Sequence, residues 1–377
     1  MTYPTEGHPA LLRGGDVIIV GGGLVGLATG AALSARGAEV TIVADHNAGE
    51  ASRAAAGMLA PSVERSDGPA HTFAVAARDL YPSYVEALAE VTGIVVPLNR
   101  DGILELVFDE RRADATRADV FALGGRWLSA SELKSLEPAI SPSAVGAFHF
   151  PDDGAVDNVA LLRVLREMVE ASSTVSIIHD RVMSIDLENE RPWVVLESGR
   201  TMIGTKLVIA AGAWSPAIEG LPRPIPIEPV RGQMMSLGSA PIHHVTYAGD
   251  GYVVPRSSAH CVVGSTMEHV GFAPGTTPEG LRTLSETAER IAPALASARP
   301  LEKWSGLRPV TPDLLPIMGP DPDYPMLLYA CGHSRNGILL GPLTGECVAA
   351  LASGETPALD LSPFSVERFA GSRVTVK

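Results

Sequence analysis

Residues 16–45 read "DVIIVGGGLVGLATGAALSARGAEVTIVAD" and predict a complete β-α-β unit. The apolar runs "VIIV" and "EVTIV" have the length and composition of buried strands. Between them, Gly21, Gly23 and Gly26 give the spacing G-x-G-x-x-G, which permits a tight turn, close approach of a diphosphate and close packing of helix on strand. The unit predicts a Rossmann-like dinucleotide-binding domain, because free amides at a helix N-terminus stabilise a diphosphate.

The acidic residue expected at the end of the second strand departs from this pattern. In the usual arrangement it binds the ribose hydroxyls, but Ala44 occupies its place and Asp45 follows. We predict that Asp45 binds the ribose, provided that the strand ends before it. The unit alone leaves open whether the dinucleotide is NAD or FAD.

Composition argues against several classes of protein. The chain has 377 residues, 46% hydrophobic and 19% charged, as in a globular protein of one large domain or two. Its formal net charge of −14, without a basic run, argues against a nucleic acid as partner. The histidines and cysteines lack the spacing of a metal site, so no metal is expected.

The expected location is the cytoplasm, without membrane attachment. The uncharged stretch 17–35 contains five glycines and belongs to the β-α-β unit, which makes it a poor membrane span. The N-terminal residues lack the basic and apolar segments of a signal peptide. Cys261, Cys331 and Cys347 are odd in number and far apart, which is typical of reduced thiols.

Further segments follow the unit in a recognisable order. They are "SRAAAGMLAP" (52–61), "KLVIAAGAWSP" (206–216), "GDGYVVPRSSAHCVVGSTM" (249–267), "WSGLRPVTPDLLPIMGP" (304–320) and "CGHSRNGILLGP" (331–342). Together they resemble the D-amino-acid oxidase superfamily of FAD-dependent amine oxidases. "AAAGML", "YVVPR", "GLRP" and "RNGILL" are the specific parts, and within the superfamily they are most similar to the glycine oxidases of thiamine biosynthesis.

The resemblance implies an α/β fold, α+β overall, of the D-amino-acid oxidase type. A Rossmann-like FAD-binding domain would be assembled from separated segments, with a mostly antiparallel β substrate domain inserted between them. The segments expected for the FAD-binding domain are 14–95, 148–222 and 304–377, and those for the substrate-binding domain are 96–147 and 223–303. The proline-rich stretch "GLPRPIPIEPV" is typical of a crossing between domains.

FAD is the cofactor that the resemblance implies, and it would be bound non-covalently. Some relatives attach FAD through a cysteine after the "RP" segment, where this chain reads "VTPDLLPIMG". The loop in the segment 331–342 would place its amides at a helix N-terminus, where they stabilise the negative charge of a reduced flavin. The residues expected to contact FAD are Gly21, Gly23, Leu24, Val25, Gly26, Asp45, Ser52, Arg53, Ala56, Gly57, Met58, Val182, Ala211, Gly212, His333, Arg335, Asn336, Gly337, Ile338 and Leu339.

The resemblance also implies where a substrate binds. Arg308 in "GLRP" matches the family's clamp for a substrate carboxylate, since a guanidinium is a planar, two-pronged donor. Tyr252 in "GYVVPR" matches a tyrosine that gives the carboxylate a second hydrogen bond. Arg335 is expected to face either the flavin or the substrate, and Met267 to lie near the flavin ring and contact the substrate. Tyr252, Arg308 and Arg335 are therefore the predicted catalytic residues.

The expected activity is oxidation of glycine, or of sarcosine or a small D-amino acid, by hydride transfer to FAD. The products would be an imino acid or glyoxylate, ammonia and hydrogen peroxide. The resemblance further implies a supply of product to a thiazole synthase and a homo-oligomer, in the family a tetramer. An amine and oxygen are the expected small-molecule partners.

Other functions stay open at this stage. The alternative substrate is a glycyl or N-methyl amine of a larger metabolite, because the segment 96–147 is expected to set the size of the pocket. A NAD-linked dehydrogenase would share the first motif but has no use for a loop aimed at a flavin. A relative that oxidises a modified tRNA base is disfavoured by the acidic charge, and a flavin-binding protein without turnover by the presence of Tyr252, Arg308 and Arg335.

Overall fold

The segment 16–45 forms the strand, helix and strand that its sequence predicts. We describe a computed structural model, which covers residues 11–13, 15–65, 67–188, 191–249 and 251–370. The first strand is buried along its whole length, and the helix begins directly after the glycine turn. The second strand ends at Val43, so the chain has left the sheet before Asp45.

The described residues form both strands and helices. The strands are β1 (Leu11–Arg13), β2 (Val17–Val20), β3 (Val40–Val43), β4 (Met58–Leu59), β5 (Leu98–Asn99), β6 (Ile103–Val107), β7 (Arg126–Ser129), β8 (Gly146–Phe150), β9 (Gly154–Val156), β10 (Val175–Ile178), β11 (Val182–Asp186), β12 (Trp193–Leu196), β13 (Thr201–Ile203), β14 (Lys206–Ile209), β15 (Glu228–Leu237), β16 (Val245–Ala248), β17 (Gly251–Ser257), β18 (His260–Gly264), β19 (Pro300–Val310), β20 (Ile317–Pro320) and β21 (Leu327–Cys331). The helices are α1 (Leu24–Ala35), α2 (Ala51–Ala54), α3 (Gly68–Thr92), α4 (Glu110–Ala122), α5 (Ala130–Leu136), α6 (Asn158–Ala171), α7 (Pro278–Ile291) and α8 (Gly337–Ala352). Short 3₁₀ helices span Gly212–Ala217, Pro293–Ser297, Ser362–Phe364 and Val366–Phe369.

The first large sheet is mainly parallel and contains the β-α-β unit. Its strand order is β10-β3-β2-β14-β21-β20, in which β20 runs antiparallel to β21. Helices α1 and α8 pack closely, since a Cβ on Gly345 would lie 2.8 Å from the Ala28 carbonyl carbon. The parallel strands bring their carboxyl ends to one edge, where sheets of this kind bind ligands.

The second large sheet is mainly antiparallel. Its order is β19-β15-β18-β17-β16-β6-β8-β7, with a parallel pairing between β16 and β6. In β17, Tyr252 lies opposite Gly264 of β18, and in β19, Arg308 lies opposite Val230 of β15. The two residues expected to bind a carboxylate therefore come from strands of one sheet.

Two smaller sheets complete the strand pairing. One has the order β1-β13-β12-β11 and the other β4-β9-β5. In the first, β1 pairs in parallel with β13 and thereby joins N-terminal residues to the 182–203 region. In the second, β4 and β5 each pair with β9.

The predicted mixture of a Rossmann-like sheet and an antiparallel sheet is confirmed. The strands of the parallel sheet all lie in the three segments predicted for the FAD-binding domain. Strands β8 and β19 run across the predicted boundaries at 147/148 and 303/304. The division into two domains stays a prediction, and its residues 14 and 371–377 lie outside the described residues.

Two other features bear on the sequence analysis. Cys261, Cys331 and Cys347 are free and buried. No helix within the described part of the chain is long and apolar enough to cross a membrane.

Candidate active site

A cavity of about 370 Å³ lies at the carboxyl edge of the parallel sheet and reaches the antiparallel sheet. The turn before α1, the segment 50–60 and the 3₁₀ helix after β14 line one part of it. Strands β15, β17 and β19 and the loop before α8 line another part. The described lining includes no residue from 96–147, the segment expected to set the pocket size.

The glycine turn shapes the end of the cavity at α1. Gly21 has φ +117°, a left-handed conformation that favours glycine, and its N–H donates to the Val43 carbonyl at 2.8 Å. A Cβ on Gly26 would overlap the Gly21 carbonyl oxygen, so this glycine lets the helix approach the turn. Gly23 caps α1 without a side-chain hydrogen bond, and Leu24 N–H donates to Ser52 Oγ at 3.1 Å.

Asp45 lies in the cavity lining just past the end of β3. Its Oδ2 accepts a hydrogen bond from Arg181 Nη2 at 2.8 Å, and Arg181 also donates to Asn47 Oδ1 at 3.2 Å. The hydrogen bond that Arg181 donates to Asp45 raises the pKa of Arg181. The strand end required for Asp45 to bind a ribose is therefore present, and the binding itself stays a prediction.

The loop before α8 also lines the cavity. Gly332 has φ +70° and Ser334 has φ +47°, and the Ser334 N–H donates to the Pro309 carbonyl of β19 at 3.0 Å. Asn336 caps α8 without a side-chain hydrogen bond, while Gly337 and Ile338 line the cavity. A second helix N-terminus therefore points to the same space as that of α1.

His333 belongs to this loop, and its buried side chain holds the loop against α8. Its Nε2 lies 3.1 Å from Thr344 Oγ1 of α8. Burial lowers the pKa of His333 to about 4, so the imidazole is neutral at pH 7. This agrees with a role in orienting the loop.

Arg308 lies over the backbone of β15. Its Nη2 donates to Ser265 Oγ at 2.6 Å and its Nη1 to the Thr266 carbonyl at 3.2 Å. A Cβ on Gly232 would overlap the Arg308 guanidinium, so only glycine leaves it this position. Burial lowers the pKa of Arg308 and the nearby Arg335 lowers it further, although a guanidinium stays protonated in proteins.

Tyrosines and a carboxylate lie beside Arg308. Tyr252 is buried, with its hydroxyl 3.7 Å from Met234 Sδ and its ring 5.4 Å from that of Tyr247. Tyr247 donates to Glu64 Oε1 at 3.3 Å, and Arg335 Nη2 donates to the same oxygen at 3.0 Å. Burial, and then the Glu64 carboxylate, raises the pKa of Tyr247.

Arg256, from the "YVVPR" motif, lies in β17 and connects this strand to the segment 52–57 through hydrogen bonds. Its guanidinium donates to the carbonyls of Val156 at 2.8 Å and Ala56 at 2.9 Å and to Asn158 Oδ1 at 2.8 Å. Asn158 Nδ2 in turn donates to the Ser52 carbonyl at 2.9 Å. Burial lowers the pKa of Arg256, which nevertheless remains a three-way hydrogen-bond donor.

Most residues predicted for the site line this cavity. They are Gly21, Gly23, Leu24, Val25, Asp45, Ser52, Ala56, Gly57, Met58, Val182, Ala211, Gly212, Tyr252, Arg308, His333, Arg335, Asn336, Gly337 and Ile338.

Four predicted residues lie outside the cavity lining. Gly26 packs behind the glycine turn, and Leu339 is 1% exposed in the core because it follows Ile338 on another face of α8. Arg53 is exposed on α2, and Met267 is 51% exposed just beyond β18. The structure therefore gives Arg53 and Met267 no described contact with this space.

Sequence reasoning missed several residues that shape the site: Glu64, Arg181, Gly232, Met234 and Ser265. Ser265 follows the hairpin β17–β18, whose register brings it near Tyr252, so the hairpin pattern contained a signal for it. Glu64 gave no comparable signal, because its partners Tyr247 and Arg335 are distant in the sequence.

The residues present fit FAD. Two helix N-termini without side-chain caps suit anionic groups, the diphosphate at α1 and the electron-rich edge of the flavin at α8. The small residues Ala54, Ala55, Ala56 and Gly57 leave room for a planar ring beside β19. No group of three potential metal ligands occurs among the residues described.

Comparison with known proteins agrees with this geometry. The pattern of a family described as "FAD dependent oxidoreductase" (DAO) matches residues 16–351. The chain belongs to the DAO family of FAD-dependent oxidoreductases. The predicted enzyme class and the predicted cofactor are thereby confirmed.

Relatives in this family are similar over most of the chain. The glycine oxidase of Geobacillus kaustophilus (strain HTA426) is 34% identical over 94% of this chain and 97% of its own length. The crystal structure of glycine oxidase from Geobacillus kaustophilus has a TM-score of 0.88 at 32% identity and covers 94% of this chain and 99% of that one. The "Bifunctional protein ThiO/ThiG" of Nostoc sp. (strain PCC 7120 / SAG 25.82 / UTEX 2576) is 34% identical over 94% of this chain and 55% of its own length. The chain thus spans about half the length of such bifunctional relatives.

We predict that Arg256→Lys weakens FAD binding about tenfold or more. Two nitrogens of the planar Arg256 guanidinium donate to three acceptors, a geometry that the single nitrogen of lysine cannot reproduce. A buried acceptor that loses its donor costs free energy. The dissociation constant is measured by titrating the apoprotein with FAD and following flavin fluorescence. Arg282→Lys is the matched control, because Arg282 pairs with Glu286 on an exposed face of α7. Equal FAD affinity in both variants would contradict the role of Arg256.

We predict that His333 makes folding stability depend on pH below 7. Burial holds the folded pKa at about 4, so the unfolded chain, with a pKa of about 6.5, binds more protons as the pH falls. The contribution is intact above pH 6.5 and is lost down to pH 4. His333→Gln should remove about 2 kcal/mol of the decrease in unfolding free energy between pH 7 and pH 5.

The measurement is urea unfolding at both pH values. His46→Gln is the control, since the His46 side chain is 72% exposed. A pH dependence in His333→Gln equal to that of the unsubstituted protein would refute the prediction.

Proposed function

We propose that the protein oxidises glycine, releasing glyoxylate, ammonia and hydrogen peroxide. The observation that carries this proposal is the half-buried Arg308 guanidinium, held by the neutral groups Ser265 and Thr266 in the same cavity as the two helix N-termini. A partly desolvated cation with neutral partners favours an anionic ligand, and a carboxylate matches its planar fork. The relatives named glycine oxidase support the choice of substrate.

In this proposal the side chains bind and orient the substrate. Arg308 binds the carboxylate, and the Tyr252 hydroxyl donates to it in place of its weak thioether acceptor. When FAD is bound, it would supply the two-electron oxidation of the amine, with oxygen as the final electron acceptor. Glycine in its neutral amine form needs no side-chain base, so orientation supplies most of the catalysis. The imino acid hydrolyses to glyoxylate and ammonia.

The proposal extends to a place in thiamine biosynthesis. The imino product would be consumed by a thiazole synthase, and relatives that join a ThiO part to a ThiG part support this. We also propose that the protein forms the homotetramer that the sequence resemblance implies.

The experiment that tests the function is anaerobic mixing of the holoenzyme with glycine, sarcosine and D-alanine in turn. Bleaching of the visible flavin band by glycine is the expected result. A yellow protein that none of the three bleaches would refute oxidation of small amino acids and favour a larger glycyl or N-methyl amine. The three substrates have the same carboxylate, so differences among them report on the space around the amine and the α-carbon.

We predict that Gly232→Ala weakens carboxylate binding about tenfold or more. The added methyl group overlaps the guanidinium of Arg308 and displaces it. The affinity for acetate, which cannot be oxidised here, is measured from its perturbation of the visible flavin spectrum. Gly238→Ala is the control at the end of the same strand, where the nearest atom, of Leu301, lies 3.3 Å from the added Cβ. Unchanged acetate affinity in Gly232→Ala, with normal flavin content, would exclude Arg308 as the clamp.

A further inference from the structure

Glu64 is held in the cavity by a buried polar anchor. It lies in the turn 60–65, in which the Ser62 and Val63 N–H groups both donate to Asp153 Oδ2 at 3.0 Å. Asp153 is fully buried and pairs with Arg78 at 3.1 Å. The anchor fixes the turn, and the Glu64 side chain extends from it into the cavity lining.

Glu64 forms an ion pair with Arg335 at the edge of the cavity. The distance from Arg335 Nη2 to Glu64 Oε1 is 3.0 Å, and the two side chains are 40% and 18% exposed. Tyr247 donates to the same oxygen of Glu64 and keeps it oriented. The carboxylate is thus positioned from two sides.

The two arginines of the cavity differ in their partners. Arg335 faces a carboxylate, whereas Arg308 donates to a hydroxyl and a carbonyl, and no carboxylate of the described chain lies within salt-bridge distance of it. Glu64, Arg308 and Arg335 together carry one net positive charge, which matches a ligand with a single negative charge. A second carboxylate on the ligand would meet an arginine that is already paired and a like charge on Glu64.

We propose that Glu64, by pairing with Arg335, restricts the substrate to amines with one carboxylate. This inference rests on the proposed function and adds to it the class of substrate that is rejected. Amines with two carboxylates, such as aminomalonate or iminodiacetate, are excluded by charge. Because the pair is partly exposed, the discrimination decreases as the salt concentration rises.

The test compares acetate with malonate as unreactive probes of the holoenzyme. Binding is followed through the visible flavin spectrum, and selectivity is the ratio of the two dissociation constants. Glu64→Gln should shift this ratio toward malonate about tenfold or more. The double variant Glu64→Gln with Arg335→Gln should lose the gain, since the gain requires the Arg335 guanidinium.

Glu105→Gln is the matched control. Glu105 pairs with Arg65, the neighbour of Glu64 in the same turn, but neither residue belongs to the cavity lining. The control removes the same charge nearby and should leave the ratio unchanged. A ratio unchanged in Glu64→Gln, or shifted equally in Glu105→Gln or in the double variant, overturns the proposal.

If Glu64→Gln does not fold, Arg335→Gln provides a second test of the proposal. It leaves Glu64 without its cation, so malonate binding should weaken more than acetate binding, and an equal loss overturns the proposal. Glycine reduction of the unsubstituted enzyme separates the two hypotheses. If glycine bleaches the flavin and selectivity does not respond to Glu64, this inference alone fails; if glycine does not bleach it, the proposed function fails.

Discussion

Close approach between backbones at the edge of the parallel sheet is the constraint on which the rest of the structure depends. A side chain at Gly26 would overlap the Gly21 carbonyl, and one at Gly345 would press on the backbone of α1 at Ala28. These glycines let α1 and α8 lie close together with both N-termini at one cavity. Backbone dipoles at these N-termini would stabilise the anionic parts of FAD without a side-chain cation.

The antiparallel sheet has a different constraint, because it holds a cation, the Arg308 guanidinium, partly withdrawn from water. Arg308 loses hydration in the cavity, and its hydroxyl and carbonyl partners compensate for only part of that loss. Gly232 supplies the space for the guanidinium, and Ser265 fixes its direction. These contacts hold the guanidinium in one position in the cavity, so little of the binding energy of an anion would be needed to organise it.

The sequence predicted those features that arise from local patterns. The β-α-β unit and the loop 331–342 could be placed because strand, turn and helix signals follow one another along the chain. Glu64 and Gly232 could not, because their importance comes from tertiary contacts with residues far away in the sequence. Arg53 and Met267 lie in segments expected at the cofactor, yet the local chain direction leaves both side chains exposed.

The hydrogen bonds of Arg256 connect the segment 52–57, proposed to bind FAD, with strand β17, proposed to bind the substrate carboxylate. The same guanidinium belongs to β17, which presents Tyr252, and holds the Ala56 carbonyl in the segment beside the cofactor. Ordering that segment around FAD would therefore also order the strand that carries Tyr252, the residue proposed to bind the carboxylate. Linkage would make the effect reciprocal, so that a bound carboxylate would increase the affinity for FAD by the same factor. In the proposed function, retention of the cofactor would thus depend on the concentration of substrate around the protein.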